Sequence, residues 1–245
     1  MMKLINELLT VVPDGDTVSV TIGMHWTAVV LDVTGKRRCG LASTLMGSLP
    51  HGEVNVPQAG KLEQMSGHEL AALAATNNLT LRSIGVAAIN ALLPPLPERW
   101  VERNAEHVII EAGQGKTVAL VGHFPFIANV RAQVGQLFVL EKNPGPGEYP
   151  ADAASEIVPQ ADVLAITSMT LLNGTLNGLL ALRRPDARAL LLGPSTPLHP
   201  LLFDYGVEML SGVEVTAVDP VLHLIQQGAV FRQVRKGGVT LVTMV

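Results

Sequence analysis

The residues with chemistry to offer collect where apolar runs give way to turns. Thr167 and Ser168 follow the run Val163–Ile166, with Asn173, Gly174 and Thr175 a few positions on. Gly122 and His123 follow Thr117–Val121, and Gly193, Ser195 and Thr196 follow Ala189–Leu192. Hydroxyl, amide and imidazole groups at such junctions do one of two jobs. They cap helices and close turns, or they line the crevice where an open α/β sheet binds ligands, beyond the carboxyl ends of its strands. A single junction reads as a cap. Three of them, on strands expected to lie side by side, predict one shared pocket. Glu141 extends the pattern, because it ends the next strand, where an acid in a nucleoside-binding fold accepts from ribose hydroxyls.

The chemistry these residues could carry is bounded by what is missing around them. The turn after Val121 lacks the Gly-x-Gly-x-x-Gly spacing, which disfavours a dinucleotide pyrophosphate. Gly115-Lys116-Thr117 imitates the end of a phosphate loop, but Ile110 stands where its first glycine belongs, and the segment precedes a strand. Gly193-Pro-Ser195-Thr-Pro197 lacks the second glycine of a nucleophile elbow. The seven histidines are scattered without paired ligand spacing, and Cys39 has no companion, so no preformed metal site is expected. His123 is the one histidine at a strand exit, and it is the candidate acid–base group; a structural role suits it equally. No cofactor is readable.

The elements that must position these groups fall into two styles. Leu4, Ile5, Leu8, Leu9 and Val12 form a helical stripe, ended by Pro13-Asp14-Gly15. Thr17–Met24 alternates, with Val18, Val20, Ile22 and Met24 expected on one face of a half-buried antiparallel strand. Thr27–Val33 and Arg37–Ser43 are further strands, and 44–65 is a loop. Ser66 and Glu69 make a capping box, and Thr80 is expected to cap the next helix. That helix is thin, with Gly85, Ala87, Ala88 and Ala91, so something must pack closely on it. Arg82 and Asn90 share one of its faces, and an asparagine in mid-helix needs a polar partner. Pro94-Pro95-Leu96-Pro97 is the domain boundary. Beyond it, short apolar strands alternate with helices, the pattern of a doubly wound, mostly parallel sheet. The expected architecture is an α+β domain over 1–97 and a Rossmann-like α/β domain over 98–245.

Composition sets the outer limits. Hydrophobic residues make up 48% of the chain and charged ones 16%, which supports a large core and excludes a disordered class. With a net charge of −4 and no basic cluster, nucleic acid is a poor partner. Lys3 and Glu7 interrupt the apolar start in a way that does not suit a signal peptide. No apolar run reaches the roughly 18 residues of a membrane span. The expectation is a soluble, cytoplasmic protein whose partner is a small molecule, with homo-oligomerisation left open.

Taken together, Arg82–Ala91, Val121-Gly-His-Phe-Pro125, Asp162–Leu176 with its Asn-Gly-Thr, and Gly193–Pro197 resemble the bacterial and archaeal family labelled "putative heavy-metal chelation". The resemblance spans nearly the whole chain. It implies an enolase-N-terminal-like front domain, a Rossmann-like back domain, a site between them, and a link to a metal-binding small molecule. The scarcity of clustered Cys and His argues that the polypeptide itself is not the chelator. The site predicted from both lines takes Arg82 and Asn90 from the front. From the back it takes Gly122, His123, Glu141, Thr167, Ser168, Asn173, Gly174, Thr175, Gly193, Ser195 and Thr196. Two functions follow: an enzyme acting on a polar heterocyclic or metal-chelating compound, or a module that binds a nucleoside-like ligand or metal complex without chemistry. A methyltransferase-like reading, resting on Glu141 and the fold, comes third.

Overall fold

A computed structural model describes residues 2–47, 54–101 and 103–245. His51 lies outside the described residues. Helix α1 (Met2–Val11) leads into an antiparallel meander of β1 (Asp16–Ile22), β2 (Trp26–Val33) and β3 (Lys36–Ser43). Helices α2 (Gly67–Ala72) and α3 (Leu79–Leu92) follow. The expected capping box forms, Ser66 accepting from the Glu69 amide at 3.2 Å while the Ser66 amide donates to the Glu69 carboxylate at 2.8 Å. At α3 the cap is Asn78, not Thr80. The Asn78 side chain accepts from the amides of Thr80 and Leu81, and the Thr80 hydroxyl donates instead to the Leu45 carbonyl.

The close neighbour that the thin helix α3 demanded is β3. A Cβ on Gly40 would run into the α3 backbone at Ala87 and Ala91, so only glycine lets strand and helix approach this far. The strand β1 departs from expectation. Its register slips between Thr17 and Ser19, a bulge-like irregularity that turns Val18 outward, and Ile22 and Met24 are also exposed. Of the predicted apolar face, Val20 packs against the core.

The rest of the chain builds one eight-stranded sheet. In order come β4 (Trp100–Val101), α4 (Ala105–Gly113), β5 (Thr117–Val121), α5 (Ile127–Arg131), β6 (Gln136–Glu141), β7 (Tyr149–Pro150) and α6 (Ala154–Ile157). They are followed by β8 (Val163–Thr167), α7 (Met169–Asn173), α8 (Leu176–Leu182), β9 (Arg188–Leu192), β10 (Met209–Val215), α9 (Val218–Gln226), α10 (Phe231–Lys236) and β11 (Val239–Met244). The spatial order is β4-β11-β10-β9-β8-β5-β6-β7. Strands β10 to β7 along this row are parallel, and β11 is antiparallel to both of its neighbours. From β5 the chain winds outward to β6 and β7, then returns to β8 and winds the other way. The direction therefore reverses between β5 and β8, which is the switch point where open sheets bind ligands.

Some elements went unforeseen. The two-residue strands β4 and β7 are too short to leave a period, and α10 was missed. After Pro197 the chain forms a 3₁₀ turn at Pro200–Tyr205. One apolar core runs through both sheets, from Leu4, Leu31 and Ile84 to Leu164, Ile166 and Leu191, so the smaller sheet with its helices is packed onto the larger one. Among the described residues no helix is long and apolar enough to cross a membrane.

Candidate functional site

The two sheets enclose a cavity of about 190 Å³ where β3 and the end of α3 meet the exits of β9 and β10. Strand β3 contributes Arg37, Arg38 and Cys39, α3 contributes Asn90, and the chain after the proline boundary contributes Trp100. Thr196 comes from the turn after β9 and Glu214 from β10. Proline spacing explains part of this wall. Pro94 and Pro95 end α3 and fix an extended course, which carries Trp100 over to pair with Met244 on β11.

Three residues on the cavity wall each carry a buried polar atom without a partner. Among the described residues, six buried side-chain nitrogens and oxygens have no hydrogen-bond partner in the protein, and Asn90 Oδ1, Trp100 Nε1 and Thr196 Oγ1 are three of them. All three residues line the one cavity. Buried polar groups are almost always paired, and leaving one unpaired costs about 1–3 kcal/mol. The set is chemically varied: an acceptor, a donor, and a hydroxyl that can be either. Asn90 is half-satisfied, since its Nδ2 donates to the Leu41 carbonyl at 2.9 Å. That bond is the polar partner its mid-helix position called for, and it aims the amide at β3.

The charged groups around the cavity are held in place. Arg37 pairs with Asp219 at 2.7 Å. Hydrogen bonding to Arg37 holds the Asp219 carboxyl below the usual carboxylate range. The Arg38 guanidinium donates to the carbonyls of Leu92 and Leu93, both at 3.3 Å, which satisfies the end of α3. Cys39 is half-buried on the cavity wall, and burial pushes its thiol up to about 12, which disfavours the thiolate near neutrality.

Neighbouring Ser195 has a different task. It is fully buried, accepts the Ser43 amide hydrogen at 2.8 Å and reaches the Ser43 hydroxyl at 3.3 Å. It clasps β3 to the exit of β9.

The three strand exits stand side by side, as expected, on the neighbouring strands β9, β8 and β5, and a Cβ on Gly122 would press on the Thr167 side chain. The cavity under the smaller sheet draws on the β9 exit and not on the other two. The exits of β10, β9, β8, β5 and β6 stand in a row spaced at about 4.8 Å, and the smaller sheet covers the β10–β9 end. Asn90 and Thr196 therefore meet at one end, while Gly122, His123 and Glu141 lie toward the other.

Between them, the polar groups serve local structure. Arg82 is buried and donates to the carbonyls of Thr76 and Leu172, joining α3 to α7. The Thr167 carbonyl accepts the Thr170 hydroxyl at 2.7 Å. The Ser168 amide donates to Leu192 at 2.7 Å, and Gly193 abuts the Ser168 hydroxyl. Asn173 Oδ1 accepts from both the amide and the hydroxyl of Thr175, an Asx turn across Gly174, whose left-handed φ of 86° ends α7. Glu141 folds back to accept from the Lys142 amide at 2.7 Å.

At the far end, His123 stands at the edge of an open cleft of about 470 Å³ with Ile127, Arg131 and Pro146. Its Nδ1 lies 2.6 Å from Glu148 Oε1. Sequence reasoning missed Glu148, which sits in an aperiodic Pro/Gly loop, and it missed Arg37, Arg38, Trp100 and Glu214. A usable signal existed for Trp100, a large aromatic three residues after the last proline of the run in a chain with two tryptophans.

Comparison with known proteins adds a family. Residues 104–243 match the DUF364 family, described as "putative heavy-metal chelation", and residues 5–93 match DUF4213, which bears the same description. An uncharacterised protein of Methanocaldococcus jannaschii is 24% identical over 220 residues, covering 85% of this chain and 82% of that protein. Two crystal structures of DUF364-family proteins with unknown function superpose over 100% of this chain. The one from Desulfitobacterium hafniense has a TM-score of 0.83 at 25% identity over 98% of its length. The one from Pyrococcus horikoshii has a TM-score of 0.84 at 21% identity over 99% of its length.

Proposed function

Since the chain belongs to the DUF364 family, described as "putative heavy-metal chelation", we propose that it binds a small polar organic compound in the cavity between its two sheets. Its connection with heavy metals then runs through that compound. The observation that carries this reading is the trio of unpartnered atoms, Asn90 Oδ1, Trp100 Nε1 and Thr196 Oγ1, on residues lining a single cavity. A ligand offering both donors and acceptors satisfies all three, as the lactam edge of a heterocycle or a hydroxamate does.

The donor set does not suit a resident metal. Among the described residues no group of three or more His, Cys, Asp or Glu is placed to hold an ion. The one thiol near the cavity stays protonated, whereas a metal-bound cysteine must be the thiolate. Binding without chemistry is the reading this lining favours over catalysis, because among the described residues no histidine lines the cavity and the thiolate of Cys39 is disfavoured.

Mass spectrometry under native conditions, on protein purified from its native host, tests the proposal. We expect a co-purifying organic molecule that is lost in a Thr196→Val variant of unchanged fold. Retention of the same molecule by Thr196→Val and Asn90→Ala would place the ligand elsewhere.

A further inference from the structure

The cleft beside His123 has features that the cavity between the sheets does not share. Glu148 is almost fully buried, with its side chain 7% exposed, while that of His123 is 66% exposed. One carboxylate oxygen accepts from the Gly145 amide at 2.8 Å and the other faces His123 Nδ1 at 2.6 Å. A carboxylate only accepts, so Nδ1 carries the proton and the ring presents Nε2 outward. The Gly145 amide, then His123, hold the Glu148 carboxyl below the usual range, so the anion persists under mild acid. Gly122 makes this presentation possible. Its φ of 103° is closed to other residues, and a Cβ there would press on the Thr167 side chain.

An imidazole with a buried carboxylate on one nitrogen and the other free is the arrangement found behind metal-ligating histidines, where the carboxylate fixes the tautomer and raises the basicity of the ligating nitrogen. Among the described residues this is the one histidine paired with a carboxylate. It brings no companions, for among the described residues no set of three donors exists. The cleft wall offers Arg131, Ile127, Ala128, Ala132 and Pro146 instead. One protein ligand cannot hold a bare aqueous ion, but it can complete a complex whose other positions are already filled.

We propose that this cleft receives a transition-metal ion already wrapped in a small-molecule chelator, and that His123 Nε2 takes the coordination position the chelator leaves open. Glu148 is the positioning residue. The Nε2 lone pair displaces one water from the metal, with no change in oxidation state and no proton transferred. The cationic Arg131 suits a chelator rich in carboxylates, and the apolar wall takes its carbon frame. The cleft is several strands from the cavity between the sheets, and this site stands or falls independently of the ligand proposed there.

Copper(II)–nitrilotriacetate, which leaves a coordination position open, is the probe, and copper(II)–EDTA, which leaves none, is its control. Calorimetric titration of the full chain should find one site for the first complex and none for the second. Electron paramagnetic resonance should show an imidazole nitrogen on the copper. His123→Asn should lose both signals, and Glu148→Gln should weaken binding by about 10–100-fold. His107→Asn, which removes another exposed imidazole, and Thr196→Val should change affinity less than about twofold. Thermal melts of each variant establish folding, and His123, being largely exposed, tolerates replacement. Binding that survives His123→Asn, that is unchanged in Glu148→Gln, or that is equal for the EDTA complex would overturn the proposal.

Discussion

The Ser195 hydroxyl accepts the amide hydrogen of Ser43 at 2.8 Å, although the two residues stand 152 positions apart. This buried bond ties the end of β3 to the exit of β9, one position before Thr196. It fixes the wall of the cavity as well as the contact between the sheets. Replacing Ser195 by Ala leaves the Ser43 N–H buried without a partner. The expected loss is about 1–3 kcal/mol of stability, or several degrees in melting temperature for a chain of this size. Thermal and urea denaturation of Ser195→Ala measure it; an unchanged midpoint would mean that water or a neighbour replaces the hydroxyl.

Thr196 should behave in the opposite way. Its buried hydroxyl has no partner, so Thr196→Val removes an unpaired polar atom at nearly constant shape. We expect the unliganded protein to keep or gain stability, while ligand affinity falls by about 1–3 kcal/mol. Asn90→Ala should weaken the same ligand by a similar amount, and the double variant should lose less than the sum, since both act through one molecule. Strict additivity in the cycle would separate the two residues. Asn173→Ala, by contrast, breaks only its turn with Thr175 and should leave affinity unchanged.

The acid limb of the stability curve should report on Asp162. Its carboxylate accepts from the Thr117 amide at 2.8 Å and from Arg184 at 2.8 Å, and these hold it below its ordinary value of 3.8. A depressed carboxyl contributes stability that is fully present above the unfolded value and is lost as pH falls through the folded one. Asp162→Asn should therefore be weaker than the native chain at neutral pH. The gap should close below about pH 4. Urea midpoints across that range decide it, and a gap independent of pH would assign the effect to packing.

Cys39 should be silent. With the thiol pushed up to about 12 by burial, a thiol reagent at neutral pH should react with unfolded protein and barely at all with folded protein. Rapid labelling of the native chain would show that the half-buried thiol is reached through the cavity and that its thiolate is less disfavoured than its surroundings imply.

Much of this architecture was legible before any coordinates. The parallel strands announced themselves as short apolar runs, and the helix start at Ser66 by its capping box. That something packs closely on α3 could be read from Gly85 and the alanines, though not that Gly85 would face Ala74 while Gly40 presses on Ala87 and Ala91. The site was harder. Residue type pointed to small polar groups at strand exits, and β9, β8 and β5 do lie side by side, but nothing in the strands says which exit the smaller sheet will cover. Thr167 and Asn173 carry the same groups as Thr196, yet they were consumed by turns, because the smaller sheet covers a different part of the row. Glu148 and Trp100 left no periodic trace, since each acts from a loop or a two-residue strand.

The strand β4 holds to the sheet through β11 alone, and its neighbour Arg103 accepts at its carbonyl from the Thr243 hydroxyl, 140 residues away in sequence. During synthesis, then, the segment bearing Trp100 emerges early and waits, with nothing to anneal to, until β11 has left the ribosome. The wall it forms is the last part of the cavity to be put in place. A nascent chain halted before Val239 would have most of its parallel strands and a cavity open on one side, exposing an indole meant for burial. Such a species is the natural client of a chaperone, and ligand binding should begin only when synthesis has passed β11.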